Sequence, residues 1–149
     1  SAIREGLRAF VGQTAFEELS RQWIAWQGRS GGLPFEPEGV GSHWGRRVQV
    51  DVVAINWRQK AILLGECKWG ADPVGRKVLT GLVAKTSLTV PDEGQGWRVY
   101  YALFSRAGFT RAARDEATTI GAILVDLAQL DRDLGESDAL NRPAKPTPA

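Results

Sequence analysis

The sequence predicts a single α/β domain built on a mixed sheet, and three observations carry that expectation. Two β-branched, apolar runs, 47–56 (RVQVDVVAIN) and 60–69 (KAILLGECKW), lie close enough along the chain to pair as an antiparallel hairpin. A third run, 97–105 (WRVYYALFS), is almost continuously hydrophobic, as a strand covered on both faces is. Segments with helical spacing stand before, between and after these runs, so some strands must be joined through helices and lie parallel.

Each element has its own justification. Residues 3–11 (IREGLRAFV) suit a short opening helix. A stronger helix is expected over 13–27, where Phe16, Leu19, Trp23 and Trp26 form one apolar stripe beside Glu17, Glu18 and Arg21. The run Gly28-Arg29-Ser30-Gly31-Gly32 ends it. The Gly/Pro-rich stretch 33–44 leaves room for one short strand near 40–44. The hairpin follows, connected by Trp57-Arg58-Gln59, without the Asn-Gly or Asp-Gly dipeptide of the tightest turns. A helix is expected over 73–90, with Val74, Val78, Leu82 and Val83 inward. Beyond the strand at 97–105 come a helix at 109–119, a strand at 121–127 and a short helix at 128–134. The segment 141–149 (NRPAKPTPA) holds three prolines. The expected domain therefore spans 1–135, and 136–149 is expected to be a disordered C-terminal tail.

Composition narrows the function classes. With 149 residues, 43% hydrophobic and 24% charged, the chain has the balance of one globular domain. No apolar run approaches the ~18–20 residues that span a bilayer, and no basic-then-apolar leader opens the sequence, so a cytoplasmic protein is expected. The single cysteine, Cys67, excludes an internal disulfide and a thiol pair for zinc. The single histidine, His43, leaves none in reserve for a nucleophile–histidine relay. The glycines at 28–32 lack the Lys and Ser/Thr of a phosphate-gripping loop. A net charge of +2 is too small to announce a nucleic-acid surface, so any such affinity has to come from local clusters: Arg46-Arg47, Arg76-Lys77, or Arg106 with Arg111 and Arg114.

The chemistry concentrates in the hairpin. Alternation puts Ile62, Leu64, Glu66 and Lys68 on one face of the second strand, and Gln49, Asp51, Val53 and Ile55 on one face of the first. A hairpin closed around Arg58-Gln59 pairs residues whose numbers sum to 117, which sets Asp51 opposite Glu66. Two carboxylates so placed among apolar neighbours repel each other and lose solvation. A divalent cation relieves both penalties, and oxygen donors suit Mg2+ or Mn2+. Lys68, on the same face, brings an ammonium that can orient an attacking water or balance phosphate charge. Cys67 alternates to the other face, as a core residue. Trp44 and Trp69 flank the pair and offer rings on which a base can stack.

These residues resemble the central hairpin of the PD-(D/E)XK, restriction-endonuclease-like superfamily: an acid, a loop, then Glu-x-Lys. More closely, the ordered series Gly12-x-x-x-Phe16-Glu17, Trp44-Gly45-Arg46, Val50-Asp51-Val52-Val53-Ala54, Gly65-Glu66-Cys67-Lys68-Trp69 and Leu103-Phe104-Ser105-Arg106-x-Gly108-Phe109 resembles the nuclease-like domain C-terminal to archaeal-type AAA ATPases. The resemblance implies an α-β-β-β-α-β-α-β mixed sheet flanked by helices. It implies Asp51, Glu66 and Lys68 as catalytic core, the Cys67 backbone carbonyl as a metal ligand beside Asp51 and Glu66, and Glu17 as an extra acid at the metal site, with Glu18 as its competitor. Arg46, Trp69 and Arg106 are the candidate nucleic-acid contacts. Asp51 follows Val50 where the strict motif has Pro. The implied function is Mg2+- or Mn2+-dependent hydrolysis of DNA, by a domain excised from or partnered with an AAA-type ATPase and able to homodimerise. The alternative is an inactive nuclease-derived module for nucleic-acid binding, dimerisation or ATPase regulation; cleavage of RNA is a third reading.

Overall fold

The computed structural model describes residues 2–141, with side chains described from 12 to 135. Helix α1 (Ala2–Ser30) precedes strands β1 (Gly39–Trp44), β2 (Gln49–Asn56) and β3 (Ala61–Lys68). Helices α2 (Arg76–Ala84) and α3 (Thr86–Thr89) lead to β4 (Arg98–Ser105), then come α4 (Arg111–Ile120), β5 (Ile123–Asp126) and α5 (Leu127–Asn141). The five strands lie in chain order in one sheet. β1, β2 and β3 form an antiparallel meander, whereas β3–β4 and β4–β5 are parallel. This is the mixed sheet expected, in the expected order, with a longer final helix.

Alternation along the strands sorts apolar side chains into two layers. Leu63, Cys67, Ala102 and Phe104 pack with Phe16, Trp23 and Ile24 of α1 and Leu130 of α5. Ile62, Leu64 and Leu103 pack on the other face with Leu79 and Leu82 of α2 and Ala117 of α4. The central strands are thus covered on both sides, which explains why β3 and β4 read as near-continuous apolar runs. Ladder pairs from Val52↔Gly65 to Asn56↔Ala61 all follow the register in which paired numbers sum to 117.

Several boundaries differ from expectation for identifiable reasons. The two helices expected at 3–11 and 13–27 are one continuous helix. Gly12 does not interrupt it; a Cβ there would fall 2.3 Å from Trp69 Nε1, so the missing side chain admits the indole. The helix ends where Gly31 takes φ +80° and the Gly32 N–H reaches back 2.8 Å to the Gln27 carbonyl. The helix expected over 73–90 begins only at Arg76, because Val74 is extended and bridges in parallel to Phe109. It also breaks at Lys85. Leu79 and Leu82 are its buried residues, and Val83, expected inward, is exposed. Helix α5 runs to Asn141, six residues into the stretch expected as a tail, and 142–149 lie outside the described residues.

One irregularity matters more. Gly41 pairs with Val53 and His43 with Val50, so two steps along β1 match three along β2. The extra residue is a β-bulge in β2. Packing records it: Val48 and Val50 share a layer with Val53 and Ile55, while Val52 and Ala54 occupy the other. The expectation that Gln49, Asp51, Val53 and Ile55 share one face is therefore corrected. The face changes hands at position 51.

Gly65 shows how tightly the hairpin is packed beside this bulge. A Cβ on it would meet Val52 Cβ at 2.9 Å and Phe104 Cε2 at 3.3 Å. Both neighbours are held in adjacent strands, so Gly65→Ala is expected to destabilise the domain by about 1–3 kcal/mol. The measurement is urea unfolding, with the midpoint lowered at unchanged slope; an unaltered midpoint would contradict this packing.

Candidate functional site

At the end of the β2–β3 ladder the strands part, and the side chain of Asp51 fills the opening. Its Oδ2 accepts the Cys67 backbone N–H at 2.9 Å, replacing the ladder bond that strand pairing would have made. Its Oδ1 accepts from Gln49 Nε2 at 3.3 Å. Arg21 of α1 donates from Nη1 to the Asp51 carbonyl at 2.9 Å. Asp51 is only 7% exposed, and the Cys67 and Gln49 donors replace part of the solvation its side chain loses.

Asp51 and Glu66 line one cleft of about 310 Å³, together with Gln13, Glu17, Gln49, Cys67, Lys68 and Lys85. Asp51, Glu66, Lys68, Glu17 and Cys67, the five site residues expected from the sequence, all lie at this cleft. Glu17 is there and Glu18 is not: Glu18 is exposed and pairs with Arg21 at 3.0 Å on a neighbouring surface. Lys68 is exposed, and its ammonium has no partner among the described residues. A larger, apolar cleft of about 630 Å³ lies between α1 and α5, lined by Leu19, Leu127, Leu130 and Leu134. Among the described residues, Arg106 and Asp131 are the ionisable groups on its wall.

Two cleft residues escaped the sequence reading. Gln13 donates from Nε2 to Glu17 Oε1 at 2.8 Å and to the Cys67 carbonyl at 3.1 Å, and its Oε1 accepts the Trp69 N–H at 3.0 Å. It fastens α1 to the end of β3. Lys85 places Nζ 3.1 and 3.4 Å from the two oxygens of Glu66 and 2.7 Å from the Gln49 carbonyl. Neither carries a sequence signal: a Gln on a helix and a Lys inside an expected helix are ordinary until the tertiary fold aims them.

The donor set agrees in type with a hard divalent cation, being two carboxylates and a backbone carbonyl. Glu17 and the Cys67 carbonyl are already held by Gln13, and no group of three acidic, histidine or cysteine side chains converges among the described residues. Asp51 and Glu66, with the Cys67 carbonyl beside them, are the residues that fit such an ion.

The expected nucleic-acid contacts are dispersed. Trp69 is not a free stacking platform: its ring lies 5.3 Å from Phe16, and the Arg106 guanidinium sits 4.7 Å from its centroid. Arg106 also reaches the Trp69 carbonyl at 3.5 Å. Arg46 is exposed on the β1–β2 connection beside Trp44, which is 71% exposed, and neither lines the carboxylate cleft.

The fold is a five-stranded mixed sheet flanked by helices, the arrangement expected of a restriction-endonuclease-like domain. Residues 1–79, just over half of the 149, match the family model DUF234, archaea bacterial proteins of unknown function, and the chain belongs to that family. Among solved structures, the protein of unknown function AF1548 is similar at 20% identity and a TM-score of 0.50, over 78% of this chain and 67% of that one. A repair endonuclease from Pyrococcus abyssi is similar at 17% identity and 0.43, over 60% of this chain and 39% of that one. The DNA modification-dependent restriction endonuclease AspBHI is similar at 18% identity and 0.38, over 87% and 38%. This chain thus matches about two-fifths of the length of each of those two endonucleases. No curated protein matches the sequence. No helix among the described residues is long and apolar enough to cross a membrane.

Cys67 lies under the cleft floor with its side chain in the core layer. Burial, chiefly, pushes its thiol well above the ordinary 9.0, and the negative charges of Asp51 and Glu17 push the same way against Ser20 and Arg21. A raised folded-state value means that the unfolded chain loses this proton first. The stabilising contribution is complete below pH 9 and declines as pH rises beyond it. Stability should fall above pH 9 by up to about 1.4 kcal/mol per pH unit more in the wild type than in Cys67→Ala, read from urea unfolding at pH 8 to 10.5. Parallel pH profiles would contradict a buried, protonated thiol.

Proposed function

We propose that this domain is a metal-dependent nuclease that hydrolyses DNA phosphodiester bonds at the Asp51–Glu66 cleft. The observation that carries the reading is the convergence of a nearly buried Asp51, Glu66 and Lys68, whose ammonium has no partner among the described residues, on one polar cleft. Apolar residues at 51 and 66 would complete two hydrophobic layers at lower desolvation cost.

Asp51 and Glu66 would hold the cation, Mg2+ or Mn2+, with the Cys67 carbonyl. When bound, such an ion supplies Lewis-acid charge to the phosphoryl group and favours deprotonation of the attacking water. Lys68, exposed beside the carboxylates, supplies the positive charge that meets a non-bridging phosphate oxygen and steadies the charge that grows on it. Glu17, held by Gln13, adds negative charge at the margin, where it can orient a water through its second oxygen. Gln13 and Arg21 act through others: they lock α1 onto the ends of β2 and β3, keeping both acids in register.

On this reading the domain works in the cytoplasm on duplex or branched DNA, as part of, or beside, an AAA-type ATPase that would deliver the substrate. Two copies acting as a homodimer would address the two strands of a duplex. Arg46 and Trp44, exposed near one end of the sheet, are the side chains best placed for backbone contacts outside the cleft. One observation favours a second reading, an inactive nuclease-derived module: Lys85 already neutralises Glu66.

Incubation of plasmid and branched DNA with Mg2+ or Mn2+ separates these readings. Wild-type protein should nick the DNA, and Asp51→Asn and Glu66→Gln should each reduce the rate about 100-fold or more, as removal of an electrostatic catalyst does. Lys68→Met should reduce it by a similar order while leaving the fold intact. Equal cleavage by wild type and Asp51→Asn would discard the site, and a wild type inert on every DNA would favour the module.

A further inference from the structure

Lys85 stands where α2 gives way to α3, with its own N–H donating to the Leu82 carbonyl at 3.0 Å. We propose that Lys85 is a positioning residue that acts as an internal counter-cation, competing with the divalent metal for Glu66, so that metal binds against the charge of its ammonium. The proposal deepens the metal-dependent reading above and rests on it.

The contacts argue for competition rather than for a chance surface pair. The Lys85 ammonium lies within hydrogen-bond reach of both oxygens of Glu66, at 3.1 and 3.4 Å, so it straddles the group instead of touching one corner. Its remaining contact is the Gln49 carbonyl at 2.7 Å. An ammonium has three donors, and all three find acceptors inside the cleft. The side chains of Lys85 and Glu66 are only 25% and 16% exposed, which distinguishes the pair from solvated surface ion pairs. The second lysine at the cleft, Lys68, is exposed and has no partner among the described residues. The two cations therefore stand in different relations to the acids.

A divalent ion on Glu66 must displace this ammonium or share the carboxylate with it. Either way a positive charge remains within a few ångströms, because the Gln49 carbonyl and the pinned backbone keep Lys85 at the cleft. Like-charge repulsion at that range weakens metal binding by roughly tenfold. The junction between α2 and α3 would thus be coupled to occupancy of the site, through one side chain.

The test is calorimetric titration of MnCl2, without DNA, into wild type, Lys85→Met, Lys85→Arg and Glu66→Ala. Lys85→Met keeps most of the stem and removes the charge; it should bind Mn2+ about tenfold more tightly than wild type. Lys85→Arg, which restores the charge, should return to wild-type affinity, a rescue that loss of packing alone does not produce. Glu66→Ala should not bind saturably. Should the Met variant fail to fold, as judged by its melting transition, Lys85→Gln carries the same expectation. Binding by Lys85→Met equal to or weaker than wild type would overturn the competition while leaving the metal site standing. Absence of saturable binding in both wild type and Lys85→Met would overturn both.

Discussion

The site depends on a single hydrogen bond made where two strands separate. Asp51 inserts its carboxylate between β2 and β3 and accepts the Cys67 N–H at 2.9 Å. A backbone donor that would otherwise be left bare at the end of the ladder is thereby satisfied. The same contact fixes the acid on the residue next to Glu66, so the two carboxylates are coupled through one backbone link rather than through two independent rotamers. The bulge in β2 makes this possible: it breaks the alternation at Asp51, so that Val50 is buried in one layer and Val52 in the other.

Around that contact the fold is arranged in supporting shells. Gly65 lets the strands approach closely just before they diverge, and Gly12 lets Trp69 lie against α1. Gln13 then spans from α1 to both the Cys67 carbonyl and the Trp69 N–H. Phe16 and Arg106 hold the Trp69 ring. Trp69, expected as a stacking platform, is instead a brace that ties the end of β3, next to Lys68, to α1. From the opposite layer Lys85, at the break between α2 and α3, reaches Glu66. Both faces of the sheet therefore contribute to one cleft at its end.

What was legible in the sequence is what depends on local period and on strand pairing. The order of elements, the two-sided cover of β3 and β4, and the register summing to 117 follow from apolar spacing and from the short connection between β2 and β3. Asp51, Glu66 and Lys68 stand out because ionisable residues interrupt runs that are otherwise core. The bulge at 51 left no trace, since it is set by pairing with β1, whose glycine-rich sequence specifies register weakly. Gln13 and Lys85 were invisible for a related reason. Their roles are tertiary, and a polar residue on a helix has the same sequence environment whether it faces water or a carboxylate. The choice of Glu17 over Glu18 likewise turned on the rotation of α1, which the apolar stripe alone leaves open by one residue.

A manganese-soaked crystal measured near the manganese absorption edge tests the central claim most directly. An anomalous peak within about 2.0–2.3 Å of carboxylate oxygens from both Asp51 and Glu66 is the expected result for a hard divalent ion on this pair. A peak at other residues, or none at this cleft at saturating manganese, would contradict the account.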